Sequence, residues 1–203
     1  MSDKTRHTEF VQRYAKLVSN SSIWLLTAQR LYASAKILAA ETQRRWIDQD
    51  FRKPQDQRLL TDDHFQVSDF IPSYMMLVAF ALENLFKAKL VKQQSAQLKQ
   101  QIAQTGKLPG LLKTHNLKSL ARSCNIVIDT QTANSLDRLA KFSVWRGRYH
   151  FAQTFQEFYH LTPENTYPST GIAFASDDVE SISRLVERLS DELGFDINRR
   201  AAA

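Results

Sequence analysis

The sequence is poor in the residues that build tight turns and covalent crosslinks. It contains one cysteine, five glycines and five prolines among 203 residues. A single cysteine, Cys124, excludes an internal disulfide and suits a reducing compartment. So few glycines and prolines disfavour an all-β fold, which needs many tight turns. We therefore expect a helical protein in the cytoplasm.

Long apolar runs are also missing. The longest, residues 74–82, has nine residues, whereas a membrane-spanning helix needs about 20. The first residues do not show the basic and then apolar pattern of a secretion signal, so we expect no membrane association. The apolar fraction of 43% is nevertheless enough for a core, and the length suits one domain over residues 1–203.

Acidic residues are scarce in the centre of the chain. Residues 83–148 hold twelve Lys or Arg and only three acids, a net charge of +9, whereas residues 149–203 carry −5. A concentrated positive field attracts polyanions such as nucleic acid, because binding releases counterions. The alternative is a solvated basic surface that only aids solubility.

Apolar residues at spacings of three and four predict several helices. Two are long: residues 22–47, and residues 73–93 beginning after Pro72, with a polar extension possible to Thr105. We expect loops at residues 52–69 and 151–171. We expect Thr132 to be the N-terminal cap of the helix that ends near Trp145. The other predicted helices are a segment at 9–18, a short one after His115, one ending near Trp145, and one at 176–193 stopped by Gly194.

This pattern predicts an all-α helical bundle of four to five core helices with short additional helices. The core would comprise about residues 20–150 together with the final helix. Residues 74–90 are apolar nearly all round, which predicts a central helix that contacts several neighbours. We find neither a solenoid-length repeat nor a clean strand-like alternation.

The segment Trp145-Arg146-Gly147-Arg148-Tyr149-His150 concentrates chemically active side chains after a predicted helix. Two guanidinium groups can grip a phosphate, Tyr149 can stack on a base, and His150 can transfer a proton near neutral pH. Lys141 would add a further positive charge for a substrate. The plainer interpretation is a helix end, with arginines on the last carbonyls and Trp145 in the core.

Two charged residues, Glu83 and Lys87, lie one turn apart within the most apolar helix. They are either an ordinary ion pair at the edge of the bundle or a pair that orients a neighbouring site. His115 and Asn116 stand at a helix start, where His115 is more plausible as a residue that closes the core than as a catalytic one. Asn116 is grouped with these three as a candidate orienting residue.

Most catalytic signatures are missing. No glycine-rich phosphate loop, nucleophile elbow or dinucleotide fingerprint is present. Glu157 and His160 have the Glu-x-x-His spacing of di-iron bundles, but such sites need a second motif and further glutamates. We therefore expect neither a metal site nor a cofactor.

Three blocks together resemble the HEPN superfamily of helical domains from prokaryotic toxin and defence systems. The first is the helix from Ser22, with Trp24, Ala28 and Leu31 on one seam. The second is the sequence ALENLFK at residues 81–87, followed by Thr114-His115-Asn116-Leu117. The third is the segment 145–150.

This resemblance implies a helical bundle that often dimerises. In active relatives an arginine, followed after four to six residues by a histidine, forms a metal-independent ribonuclease site. Arg146 and His150 would be the catalytic residues here, and Arg148, Tyr149 and Lys141 would bind substrate. The spacing departs from the pattern, since only three residues separate Arg146 from His150, and Gly147 interrupts the helix that would place them on one face.

The sequence thus leaves three functional interpretations open. One is a protein that binds RNA or another phosphate-bearing ligand, with cleavage as an extension. Another is a non-catalytic helical partner of a nucleotidyltransferase or antitoxin. The third is a plain structural homodimer.

Overall fold

A computed structural model describes residues 3–51, 62–143 and 176–199. Within these ranges the chain is helical and contains no strand, so the predicted all-α bundle is confirmed. No helix in the described ranges is apolar over a length that would cross a membrane. The helices are α1 (Asp3–Val18), α2 (Ser21–Phe51), α3 (Asp62–Thr105), α4 (Gly110–Lys113), α5 (Leu117–Ser123), α6 (Thr130–Lys141) and α7 (Ser176–Leu193).

Helix α3 is the centre of the bundle. It contacts α1, α2, α5, α6 and α7. Consecutive residues on every side of it are buried, which confirms the prediction from its unbroken apolar pattern. The fully buried residues include Met75, Val78, Ala79, Ala81, Leu82, Leu85, Phe86, Ala88, Leu90 and Val91.

Helix α3 is longer than the sequence pattern predicts. The expected start after Pro72 is wrong, because the helix already begins at Asp62 and passes through Pro72. A proline inside a helix removes one backbone donor but does not force the chain to stop when the rest of the helix is packed. At the other end the polar extension to Thr105 is helical, with a local break at Gln94 (φ −126°, ψ 23°).

Helix α2 runs antiparallel to α3. The Ser95 hydroxyl donates to the Ser19 carbonyl at 3.2 Å, just before α2 begins. One turn later along α2, the Trp24 ring lies against Lys87, which is two turns before Ser95 on α3. The contacts therefore advance along α2 while they move back along α3. Ala28 and Ala35 are fully buried on α2, and their small side chains allow the two helix backbones to approach closely.

The short helices α5 and α6 form a second antiparallel pair. The side chain of Asn116 caps α5 by accepting from the Ser119 amide at 2.9 Å. Asp129 caps α6 by accepting from the Thr132 amide at 2.6 Å, so the prediction of Thr132 as the cap is wrong. The cap is an aspartate three residues earlier, to which the Thr132 amide itself donates, and aspartate is preferred over threonine as an N-cap.

Helix α7 closes the bundle against α3 and α6. Its apolar face, including Ile182, Val186 and Leu189, is buried as predicted. Gly194 adopts a positive φ of 67°, and the Phe195 amide donates back to the Ser190 carbonyl, which ends the helix. The following residues then cross α2, where the Gln29 amide donates to the carbonyls of Asp196 and Arg199.

Candidate functional site

The most unusual chemistry in the described part of the chain is a charged cluster inside the bundle. Lys87 Nζ lies 2.5 Å from Glu83 Oε1, one turn away on α3. The two side chains are only 5% and 8% exposed. The predicted ion pair is therefore confirmed in its partners, but it is buried and not at the edge of the bundle.

His115 joins this pair from the loop before α5. Its Nδ1 lies 2.9 Å from Glu83 Oε2, while its side chain is 62% exposed. The interpretation of His115 as a residue whose ring closes the core is wrong, because the ring faces solvent on one side. We refer to Glu83, Lys87 and His115 as the Glu83 cluster.

Trp24 covers the cluster from α2. Lys87 Nζ lies 5.6 Å from the centroid of the indole ring, close enough for a cation–π attraction. The indole nitrogen itself donates to the Val18 carbonyl at 2.9 Å, which fixes the ring orientation. Lys87 is thus held between a carboxylate and an aromatic face.

The backbone around His115 is held by its neighbours. The Thr114 hydroxyl accepts from the Asn116 amide at 3.1 Å. Asn116 then caps α5, so the residues on both sides of the histidine make local hydrogen bonds. Asn116 was predicted as an orienting residue, and the structure places its side chain on the α5 backbone.

The cluster defines the orientation of the imidazole chemically. A carboxylate that lies against a lysine ammonium accepts hydrogen bonds through its oxygens. With the Glu83 carboxylate as the acceptor, Nδ1 of His115 is the donor in this contact, and Nε2 is directed away from the carboxylate. A carboxylate and an imidazole in this arrangement are able to hold, release or accept a proton at Nε2.

The end of α6 lies at the same end of the bundle as His115. Lys118 Nζ, in the first turn of α5, is 2.5 Å from Asp137 Oδ2 in the second half of α6. From Asp137 the antiparallel α6 continues for one more turn, about 6 Å, past the beginning of α5. That turn carries Lys141, which is exposed.

Positive charge dominates this part of the surface. Residues 83–141 contain ten Lys or Arg and three acids. Each of the acids is engaged: Glu83 in its cluster, Asp129 at its cap and Asp137 with Lys118. The segment therefore keeps a net charge of +7, and its exposed bases include Lys107, Lys113, Arg122 and Lys141.

Several predicted site residues lie outside the described residues. These are the proposed catalytic pair, Arg146 and His150, and the proposed substrate-binding residues Arg148 and Tyr149. The Glu157 and His160 pair lies there as well. Among the residues that the structure does describe, no group of three metal-ligating side chains comes together.

Sequence reasoning missed the contact between Glu83 and His115 and the position of Trp24. Residues 32 apart in the chain give no periodic signal that they meet. The available sign was that Glu83 and Lys87 interrupt the most apolar helix. A charged pair at a core position needs further partners, and that requirement alone points to a polar group on a neighbouring element.

A second set of exposed side chains is apolar and lies on α1 and the start of α2. Phe10, Tyr14 and Leu17 follow one face of α1 at spacings of four and three. Ile23 and Leu26 are exposed apolar residues on α2, and all five side chains are at least 38% exposed. We call these five residues the N-terminal apolar stripe.

Comparison with known proteins identifies no relative. No family model matches the chain, and no curated protein or solved structure is detectably similar to it.

Proposed function

We propose that this protein binds RNA with the end of the bundle that carries His115 and the C-terminus of α6. The observation that supports this most is the Glu83 cluster, which presents an exposed imidazole beside the basic segment 83–141. The motif 145–150 begins three residues after the end of α6 in the sequence and adds two arginines, a tyrosine and a histidine. Phosphate contacts need cations, and bases need rings on which to stack.

Within this proposal the protein is a HEPN-like ribonuclease that needs no metal ion. His150 would accept the proton of a ribose 2′-hydroxyl as its oxygen attacks the adjacent phosphorus. Arg146 would stabilise the negative charge that develops on the phosphate, and Arg148, Tyr149 and Lys141 would hold the strand. RNA binding is the main part of the proposal, and cleavage of the bound RNA is a further part that depends on it.

The binding part is tested by changing Arg146 and Arg148 together to alanine. Each lost phosphate contact should reduce the slope of log K against log salt by about 0.7 for a single strand, so about 1.4 for both. A matched control is the change of Arg184 and Arg188 to alanine. These are two exposed arginines on α7, and their loss removes the same charge elsewhere. Equal effects of the two double variants would reject a specific site.

The cleavage part is tested by incubating structured and unstructured RNA with the protein in excess chelator. Cleavage that persists in chelator and disappears in His150→Ala supports the ribonuclease. Cleavage that chelator abolishes, or that His150→Ala retains, contradicts it. Binding without any cleavage restricts the function to RNA binding.

The N-terminal apolar stripe favours a second candidate function. Exposed apolar side chains aligned along one helix face are typical of protein interaction surfaces. We propose as the alternative a non-catalytic helical partner, which docks a nucleotidyltransferase, an antitoxin or a second copy of itself through this stripe. The RNA experiments and the association experiment in the Discussion separate the two functions.

A further inference from the structure

Two neighbouring helical segments are interrupted at the same level of the fold. Helix α3 departs from helical geometry at Gln94, and the chain leaves the helix between α1 and α2 at Ser19 and Asn20. The Ser95 hydroxyl donates to the Ser19 carbonyl at 3.2 Å, so the two interruptions lie side by side. They separate a smaller part of the bundle, which consists of α1 and residues 95–105 of α3. We call this smaller part the arm.

The arm is a pair of antiparallel helices with buried side chains of its own. From the contact at the two interruptions, the chain runs forward along α3 to Gly106 and backward along α1 to Val11. These two residues are neighbours, since a Cβ at Gly106 would lie 3.8 Å from Val11 Cγ2. Ala15 and Ile102 are fully buried in the arm, although neither belongs to the continuous core of the bundle. Helix α1 therefore buries one face within the arm.

Helix α1 also has an apolar face that the arm leaves uncovered. Phe10, Tyr14 and Leu17, the α1 residues of the N-terminal apolar stripe, are 66%, 38% and 57% exposed. At about 100° per residue they lie within about 60° of one another, and the centre of this face is about 110° from the direction of Val11 and Ala15. A helix with two apolar faces is suited to pack between two partners, and α3 is one of them.

We propose that a second copy of this chain is the other partner, with the α1 helices of the two copies antiparallel around a two-fold axis. The inference rests on the alternative function proposed above, and it names both the partner and the arrangement. Two arms of two helices each would form a four-helix bundle. A two-fold interface uses the same residues of both copies, so the exposed face of α1 must complement itself.

The apolar side chains of this face can pair with themselves. In an antiparallel pair with a two-fold axis, a contact between residues of different number occurs twice. If Phe10 faces Tyr14 of the second copy, Tyr14 faces Phe10 of the second copy in turn. This register places two aromatic pairs at the centre of the interface, where rings contribute most to association.

The charges beside the stripe complement each other in the same register. Glu9, Arg13 and Lys16 lie along one edge of the exposed face and form no ion pair within the described part of the chain. With Phe10 opposite Tyr14, Glu9 lies within about 3 Å, measured along the helix axis, of both Arg13 and Lys16 of the second copy. A parallel pair in register would instead place Glu9 opposite Glu9 and Arg13 opposite Arg13. The charge pattern therefore favours the antiparallel arrangement.

The interface is small, which determines how strongly the copies should associate. Three apolar side chains and their charged neighbours from each copy bury a total area that we expect to be below about 1,200 Å², the range of weak and transient complexes. We therefore expect a dissociation constant on the order of micromolar and dissociation on dilution.

The test is sedimentation equilibrium of the full chain and of two charge variants. Glu9→Lys, and Arg13→Glu combined with Lys16→Glu, each place like charges at both contacts of the dimer. Each variant alone should raise the dissociation constant about tenfold or more. An equimolar mixture of the two variants should associate again, because the changed side chains of one variant then face opposite charges on the other at both contacts.

The control variant carries the same change of charge away from α1. Lys113→Glu combined with Arg122→Glu alters two exposed bases on α4 and α5 and should leave the association unchanged. Glu9, Arg13 and Lys16 are exposed as well, so their variants should keep the thermal midpoint of the unaltered protein. That measurement excludes unfolding as the cause of a lost dimer.

The outcomes separate this inference from the proposed functions. Charge variants that associate as tightly as the unaltered protein, or a mixture that stays monomeric, would overturn the antiparallel pairing of α1. An unaltered protein that is monomeric at every concentration would also overturn it, but would leave RNA binding and docking to a different protein standing. Loss of RNA binding in the arginine variants would leave the dimer unaffected.

Discussion

Glu83 and Lys87 form an ion pair across one turn of α3, and the residues one turn before and one turn after the pair (Ala79, Phe80, Leu90 and Val91) are apolar. Their closest atoms are 2.5 Å apart, and both side chains are almost fully buried. Removing two charges from water is costly, and the attraction between them offsets this cost only while both are present. The intact pair therefore adds little to the free energy of unfolding, whereas removal of one partner lowers it strongly.

Lys87→Met should strongly destabilise the protein, because it leaves the Glu83 carboxylate buried with only His115 beside it. Loss of one partner of a buried pair costs about 3–5 kcal/mol, and we expect the low end of that range. Urea unfolding followed by circular dichroism measures the change. The double variant Glu83→Leu, Lys87→Met should recover most of the loss, and a double variant as unstable as the single one would contradict this account.

Cys124 should be almost unreactive in the folded protein. Its thiol is buried and donates to the Phe86 carbonyl at 3.2 Å. Burial raises the pKa of Cys124 to about 11, so very little reactive thiolate exists at pH 8. A thiol reagent at that pH should react slowly with the native protein and rapidly in denaturant. Equally rapid reaction in both states would contradict the burial of Cys124.

Asp129 should make the stability of α6 depend on acid pH. Hydrogen bonds from Thr132, chiefly from its backbone amide, lower the pKa of Asp129 below its ordinary value of 3.8. The folded state therefore gains from the ionised carboxylate above that value and loses this gain as the pH falls through the lowered pKa. Asp129→Ala should lower the thermal midpoint by a few degrees at pH 7.

The difference between Asp129→Ala and the unaltered protein should shrink as the pH falls below about 3.8. The matched control is Asp129→Asn, since asparagine caps a helix about as well as aspartate but carries no titrating charge. It should keep the midpoint at pH 7. A deficit of Asp129→Ala that is constant from pH 7 to pH 3 would argue against the carboxylate as the cap.

The N-terminal apolar stripe should govern association and contribute little to folding. Changing Phe10 and Leu17 to serine removes two exposed side chains, so each change should alter the free energy of unfolding by less than about 0.5 kcal/mol. If the stripe binds a second copy, the double variant should lose the concentration-dependent increase in sedimentation coefficient. Val127→Ser, at an exposed apolar position outside the stripe, is the control that should keep it.

The helices that the sequence predicts best are those whose burial repeats regularly. In α7 the apolar residues recur every three or four positions, and Gly194 supplies the conformation that ends the helix. In α3 the apolar residues lie on all sides, which identified it as the central helix. Both patterns are local, so a single sequence is enough to show them.

The sequence could not predict what depends on contacts between distant segments. The start of α3 at Asp62 is followed by polar residues and Pro72, which together are typical of a loop. Only the structure shows that the helix continues through them. Likewise His115 is separated from Glu83 by 32 residues, and no spacing rule relates them. The candidate residues were named, but their arrangement was not predictable.

Because α3 packs against several helices at once, the number of residues in α3 determines which of its side chains face each neighbour. One residue inserted within it would turn the part beyond the insertion by about 100° relative to the part before. Glu83 and Lys87 would then no longer face Trp24 and His115 together, since these two are carried by separate elements. Insertions in connecting segments such as residues 106–109 should therefore preserve the cluster. These residues are not part of a continuous helix, so the insertion does not rotate the residues beyond it.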